Sequence, residues 1–140
     1  MLADEGKYFI LSKDGRRVRK VSDGGGEAES VALRAEAKSE REHLTLFKLN
    51  GGNWEIYFDF DLKYPIGASD LAADELLRIK EGRKWEIYQQ ETGKEGSHGL
   101  YLLSAHGSSG LFWTYNTGID EISLQPPRKD MEGQLWRIEE

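Results

Sequence analysis

A chain of 140 residues carrying 19 Lys and Arg against 25 Asp and Glu, a formal net charge of −6, has the size of one domain around one core and repels a phosphate backbone, so nucleic acid is not an expected partner. It contains no cysteine, which excludes disulfides, cysteine-ligated zinc and a thiol nucleophile. Its 38% hydrophobic and 11% aromatic content excludes a disordered chain.

The N-terminal MLADEGKYFIL has no basic segment leading into a long apolar one, and no apolar run is long enough to span a bilayer. A cytoplasmic chain that does not insert into membranes is expected. Apolar residues alternate along most of the sequence, broken by 16 glycines, which predicts many short strands. The first four are GKYFILS (6–12), RRVRKVS (16–22), SVALRAE (30–36) and HLTLFKL (43–49). The second overlaps KDGRRVRK (13–20), five cations in eight residues, read as a solvated edge strand guarded by charge. EAESVALRAEAKSEREHL (27–44) has good helix propensity, but Val31, Leu33 and Ala35 alternate, so 30–36 is read as a strand and 37–42 as a charged turn. The next four strands are NWEIYFD (53–59), YPIGASD (64–70), ELLRIKE (75–81) and KWEIYQQ (84–90). The last four are GLYLLSA (99–105), GLFWTYN (110–116), EISLQPP (121–127) and QLWRIEE (134–140).

The shared WEIY of NWEIY (53–57) and KWEIY (84–88) suggests a repeat of 31 residues, but the strand order rejects it. First strands centre on Tyr8, Trp54 and Tyr101, which are 46 and 47 apart. Second strands centre on Val18, Ile66 and Trp113, and third strands on Val31, Leu76 and Ile122, again 45 to 48 apart. The period is near 46, and the two WEIY stretches open and close the second unit. Twelve strands in three pseudo-symmetric four-stranded repeats, about 6–50, 51–97 and 98–140, are the plan of an all-β fold, the β-trefoil, as a single domain over 1–140. First and fourth strands close a six-stranded barrel, and the middle two form a hairpin of a cap. Tyr8, Ile10, Leu46, Trp54, Ile56, Trp85, Ile87, Tyr101, Leu103, Trp136 and Ile138 are the expected core.

Catalysis has no foothold in the sequence. The histidines are His43, His98 and His106, at spacings that match no metal-ligand pattern. Ser108 and Ser109 stand near His106 in a hairpin tip with nothing placed to complete a triad. DGGGE and GSHG precede no helix that would hold a phosphate. No enzyme activity, metal or cofactor is expected. FWTYNTGID (112–120) is the unusual surface feature, because a cap strand that holds Phe112, Trp113 and Tyr115 cannot turn all three inward. An aromatic face beside amides and carboxylates binds sugars, stacking on ring C–H groups while polar groups hold the hydroxyls. The candidate sugar contacts are Trp113, Tyr115, Asn116 and Asp120, with His106 at the rim.

The third repeat, GLYLLSAHGSSGLFWTY, then EISLQPP, then GQLWRIEE, resembles one repeat of a ricin B-type lectin, with Gln134-Leu135-Trp136 as its Gln-x-Trp. The strand plan of the whole chain is similar to that of the small cysteine-free trefoil lectins and protease inhibitors of mushrooms. The resemblance implies a trefoil and a non-catalytic binding protein with glycan or glycoprotein partners. The family's galactose pocket falls on Thr114, Gln125 and Gly133, and on Arg19 in the first repeat, none of them the family's residue type. The expected site is therefore not of the galactose kind. The alternative that the same resemblance carries is a protease partner, met by a loop at 22–29, 91–98 or 126–133, the last offering Arg128 and Lys129 behind two prolines. Homodimerisation stays open.

Overall fold

The computed structural model describes residues 2, 5–22, 29–34, 44–49, 51–58, 64–79, 83–92, 97–107, 110–116 and 121–139. Each predicted strand overlaps an observed one: β1 (Glu5–Ser12), β2 (Arg17–Ser22), β3 (Glu29–Arg34), β4 (Leu44–Lys48), β5 (Trp54–Tyr57), β6 (Ile66–Gly67), β7 (Arg78–Ile79), β8 (Trp85–Thr92), β9 (Ser97–Ala105), β10 (Phe112–Tyr115), β11 (Ile122–Gln125) and β12 (Trp136–Glu139). Among the described residues the fold is all-β, its helical geometry confined to a 3-10 turn at Lys129–Met131. The charged turn expected at 37–42 lies outside the described residues.

All the strands join one twelve-stranded sheet, and six of them close it into a ring. Antiparallel pairing runs β1 to β4, β4 to β5, β5 to β8, β8 to β9, β9 to β12 and β12 back to β1. Closure removes the unpaired edges that would otherwise recruit other chains. The remaining strands form hairpins β2–β3, β6–β7 and β10–β11. These hairpins touch one another: Ser30 pairs with Arg78, and Leu77 N–H donates to the Ile122 carbonyl at 2.9 Å. β2 is not an edge strand as its charge suggested. It lies between β1 and β3, and Arg17 is buried.

The alternation of the sequence sets which side chains line the ring. Tyr8 pairs with Leu44, Trp54 with Trp85 and Tyr101 with Trp136. A second layer pairs Ile10 with Ile138, Leu46 with Ile56 and Ile87 with Leu103. All of these are buried except Ile87, which is partly exposed and packs against the cluster from its margin. The indole N–H of Trp85 donates to the Ile66 carbonyl and that of Trp136 to the Trp113 carbonyl, both at 3.0 Å. Each bond ties a ring strand to a hairpin strand.

Trp113 departs from its expected place. It is fully buried, edge-on to Trp85 at 5.3 Å and to Trp136 at 6.0 Å between centroids. The inward face of β10 meets the end of the ring, so the largest side chain on that face closes the core. Edge-to-face pairs of this kind add about 0.5–1.5 kcal/mol each beyond the burial of area.

Candidate functional site

The register of β1 and β12 decides where a cavity forms. Ser12 sits opposite Trp136, so the residues after Ser12 and those before Trp136 leave the ring at the same end. The end of β10 meets them there. Together they enclose a cavity of about 680 Å³, within the range of small-ligand pockets. Its lining includes Lys13 and Asp14 from the β1–β2 turn, Tyr115 and Asn116 from β10, and residues 128–133 from the link between β11 and β12.

The β1–β2 turn is tight. Gly15, at φ 95°, lets its N–H reach the Ser12 carbonyl at 2.9 Å, and Arg16 N–H reaches Ser12 Oγ at 3.0 Å. The Ser12 hydroxyl donates to Asp14 Oδ1, and Arg16 Nε lies 3.3 Å from Asp14 Oδ2. The hydroxyl first, then the guanidinium, hold the Asp14 carboxyl below the usual aspartate range.

Tyr115 is half-buried and fixed on three sides. Its hydroxyl accepts the Lys13 N–H at 3.0 Å, its ring meets Trp136 edge-on at 5.1 Å, and Arg16 lies over it at 5.9 Å. Burial pushes its phenol pKa up, only partly opposed by the Lys13 N–H bond.

The 126–133 link is held from beneath by buried Gln134. Its Nε2 donates to the Pro126 carbonyl at 2.8 Å and to Thr114 Oγ1 at 3.1 Å, and its Oε1 accepts the Arg128 N–H at 3.0 Å. Arg128 then turns its side chain down, so that Nη1 donates to Asn116 Oδ1 at 2.8 Å. Asp130 and Met131 follow with φ of 55° and 54°, a left-handed geometry costing non-glycine residues roughly 1–3 kcal/mol each. Gly133, at φ 73°, accepts the Tyr115 N–H on its carbonyl at 2.8 Å; a Cβ there would stand 2.1 Å from the Tyr115 carbonyl oxygen.

The residues singled out from the sequence separate accordingly. Tyr115, Asn116, Arg128 and Lys129 line one cavity, so the two sets proposed for sugar and for protease meet there. Trp113 lies beneath it with no ring face to offer a ligand, a correction that follows from its packing between Trp85 and Trp136. His106 is elsewhere, exposed, with Nδ1 3.8 Å from Glu86 Oε1 and its N–H on the Lys84 carbonyl. Asp120 lies outside the described residues. Thr114 and Gln125 are engaged within the fold, Thr114 on the Phe112 carbonyl and Gln125 on Asp74 and Ser123. Lys13 and Asp14 were missed as site residues, because the turn that carries them is more than a hundred residues from Tyr115. Among the described residues no three His, Cys, Asp or Glu stand close enough to hold a metal ion.

No protein-family model matches the chain, and no curated protein matches it significantly. The likeness to ricin B-type repeats thus rests on the residues quoted for it.

Proposed function

We propose that the chain is a non-catalytic carbohydrate-binding protein, folded as a β-trefoil of three four-stranded repeats. The trefoil reading is supported by the ring of six strands with three attached hairpins and by the recurring pairs of Tyr8 with Leu44, Trp54 with Trp85 and Tyr101 with Trp136. It is supported also by the two indole bonds, which join matching strands of the second and third units.

One observation carries the sugar reading. A single preformed cavity joins an immobilised aromatic ring, Tyr115, to an amide and guanidinium already bonded to each other, Asn116 and Arg128. A ring fixed before binding loses little entropy when it meets the apolar side of a sugar, and the polar groups select among hydroxyls. Trp113 contributes by packing under the site. The affinity expected of one such site is on the order of millimolar to micromolar. The test is titration of a glycan-array ligand into the wild type, Tyr115→Ala and Asn116→Ala, with folding checked for each. A loss of about tenfold or more in either supports the site. Equal affinity in all three rejects it.

The protease-inhibitor reading has one feature in its favour, exposed Lys129 behind the exposed Pro126 and Pro127. Against it, proteases take an extended segment as an added strand, whereas Lys129 opens a tight turn whose other two residues, Asp130 and Met131, are left-handed, and Arg128 is folded onto Asn116. Inhibition of a trypsin-like protease that Lys129→Ala abolishes would move the function to that reading.

A further inference from the structure

We propose that the cavity takes an acidic sugar and that Arg128 receives its carboxylate; the inference rests on the carbohydrate reading above and narrows it. Arg128 is half-buried, yet among the described residues its guanidinium makes no ion pair: those present join Arg16 to Asp14, His106 to Glu86 and Arg137 to Glu139. Partly buried guanidinium groups are ordinarily matched by an anion, since removing the charge from water is otherwise uncompensated.

The geometry of that one bond to Asn116 matters. Asn116 Oδ1 holds Nη1, while Nε and Nη2 have no protein partner among the described residues. Those two groups carry parallel N–H bonds on one edge of the fork, the arrangement that matches both oxygens of a single carboxylate. Asn116 fixes the plane of the guanidinium, and Gln134 fixes the backbone beneath it through the Arg128 N–H. The left-handed Asp130 and Met131 hold the following link in a strained turn, and strain of this kind collects where a loop clamps a ligand.

The charges in the cavity leave room for one more negative group. Lys13, Arg128 and Lys129 line it against Asp14, Asp130 and Glu132. Asp14 is already matched by Arg16 at 3.3 Å, which among the described lining residues leaves three cations and two carboxylates. Tyr115, Met131 and Leu135 supply apolar surface on which the carbon side of a sugar ring can rest.

The test is an array of neutral, uronate-bearing, sialate-bearing and sulfated glycans, probed with wild type, Arg128→Gln and Tyr115→Ala. The expected result is retention of uronate or sialate glycans, with affinity falling by about tenfold or more in Arg128→Gln. Methyl esterification of the glycan carboxylate is expected to cause the same loss with the wild-type protein, which removes any doubt about the folding of the variant. Neutral glycans bound as well as acidic ones, with Tyr115→Ala defective, would overturn the inference and leave the carbohydrate reading standing. Retention of sulfated glycans alone would overturn it in favour of a sulfate ester. An array blank for every class would overturn both.

Discussion

Replacing Gln134 by Ala tests how the fold holds the site. The buried amide makes three hydrogen bonds, to Thr114 Oγ1, the Pro126 carbonyl and the Arg128 N–H. Each such bond contributes about 1 kcal/mol net, so their loss alone costs about 3 kcal/mol. The variant also leaves the Pro126 carbonyl and Arg128 N–H without their partner, and an unsatisfied buried group costs about 1–3 kcal/mol. Water reaching part of the link offsets some of that, so a total of about 4 kcal/mol is expected. With an unfolding entropy of about 2.1 cal/mol/K per residue, this is a fall of about 14 °C in melting temperature. Thermal melts followed by far-UV circular dichroism and urea titration measure it. The site should fail before the fold does, since Arg128 loses its backbone anchor while the ring strands remain paired. A loss under about 1 kcal/mol with ligand affinity intact would refute the reasoning, because it would mean that water replaces the amide without moving the link.

Trp136→Ala removes a fully buried ring, its bond to the Trp113 carbonyl and its edge contacts with Trp113 and Tyr115, and should cost about 3–5 kcal/mol by urea denaturation; parent-like stability would break the register given for β12. Gly133→Ala forces a side chain into left-handed backbone and against the Tyr115 carbonyl, so a loss of about 2 kcal/mol or more and weakened ligand binding are expected in the same assays. Asp14 has a folded pKa below its ordinary 3.8, so its stabilisation is complete above that value and fades as pH falls through the folded pKa. The stability difference between wild type and Asp14→Asn should therefore be full at neutral pH and vanish in acid, read from melts across that range. His106→Ala should leave ligand affinity within about twofold of wild type, because His106 lines no part of the cavity; a tenfold loss by titration would move the site to the His106 corner.

The strands were legible because the pleat forces a period of two, and buried positions such as Ile10, Leu46, Ile56 and Leu103 keep it. The tryptophans of the ring were legible for the same reason. Trp113 was not, because alternation places it on a face of β10 without saying what that face meets. A cap strand and a solvent-facing strand share one pattern until the ring beneath is known. Arg17 misled in the opposite sense: its charge pointed to solvent, yet β2 is covered on one side by β1 and on the other by β3. Within the site, Tyr115 and Asn116 were visible as an aromatic and an amide in one cap strand. Their neighbours Lys13 and Asp14 were not, since only the pairing of β1 with β12 brings the turn to them.

That pairing also explains why His106 and Tyr115 part company despite lying nine residues apart. In the ring, Ser12 is opposite Trp136, and Ala105 is opposite Trp85. Under the three-repeat reading these are counterparts, each the place where a first strand ends beside the start of a fourth. The residues just past them, Lys13 in one case and His106 in the other, therefore occupy matching corners of different units. Lys13 N–H meets the Tyr115 hydroxyl, whereas His106 N–H meets the Lys84 carbonyl. The first corner is walled by the 126–133 link, whose length and left-handed turn arch over it; in the second, Arg83 and Lys84 lead directly into β8. Under that reading, matching corners differ in what surrounds them: the cavity is lined from the Lys13 corner, and His106 is not among its lining residues. The 126–133 link is what sets the first corner apart, and its side chains can change ligand specificity without disturbing the paired ring strands beneath.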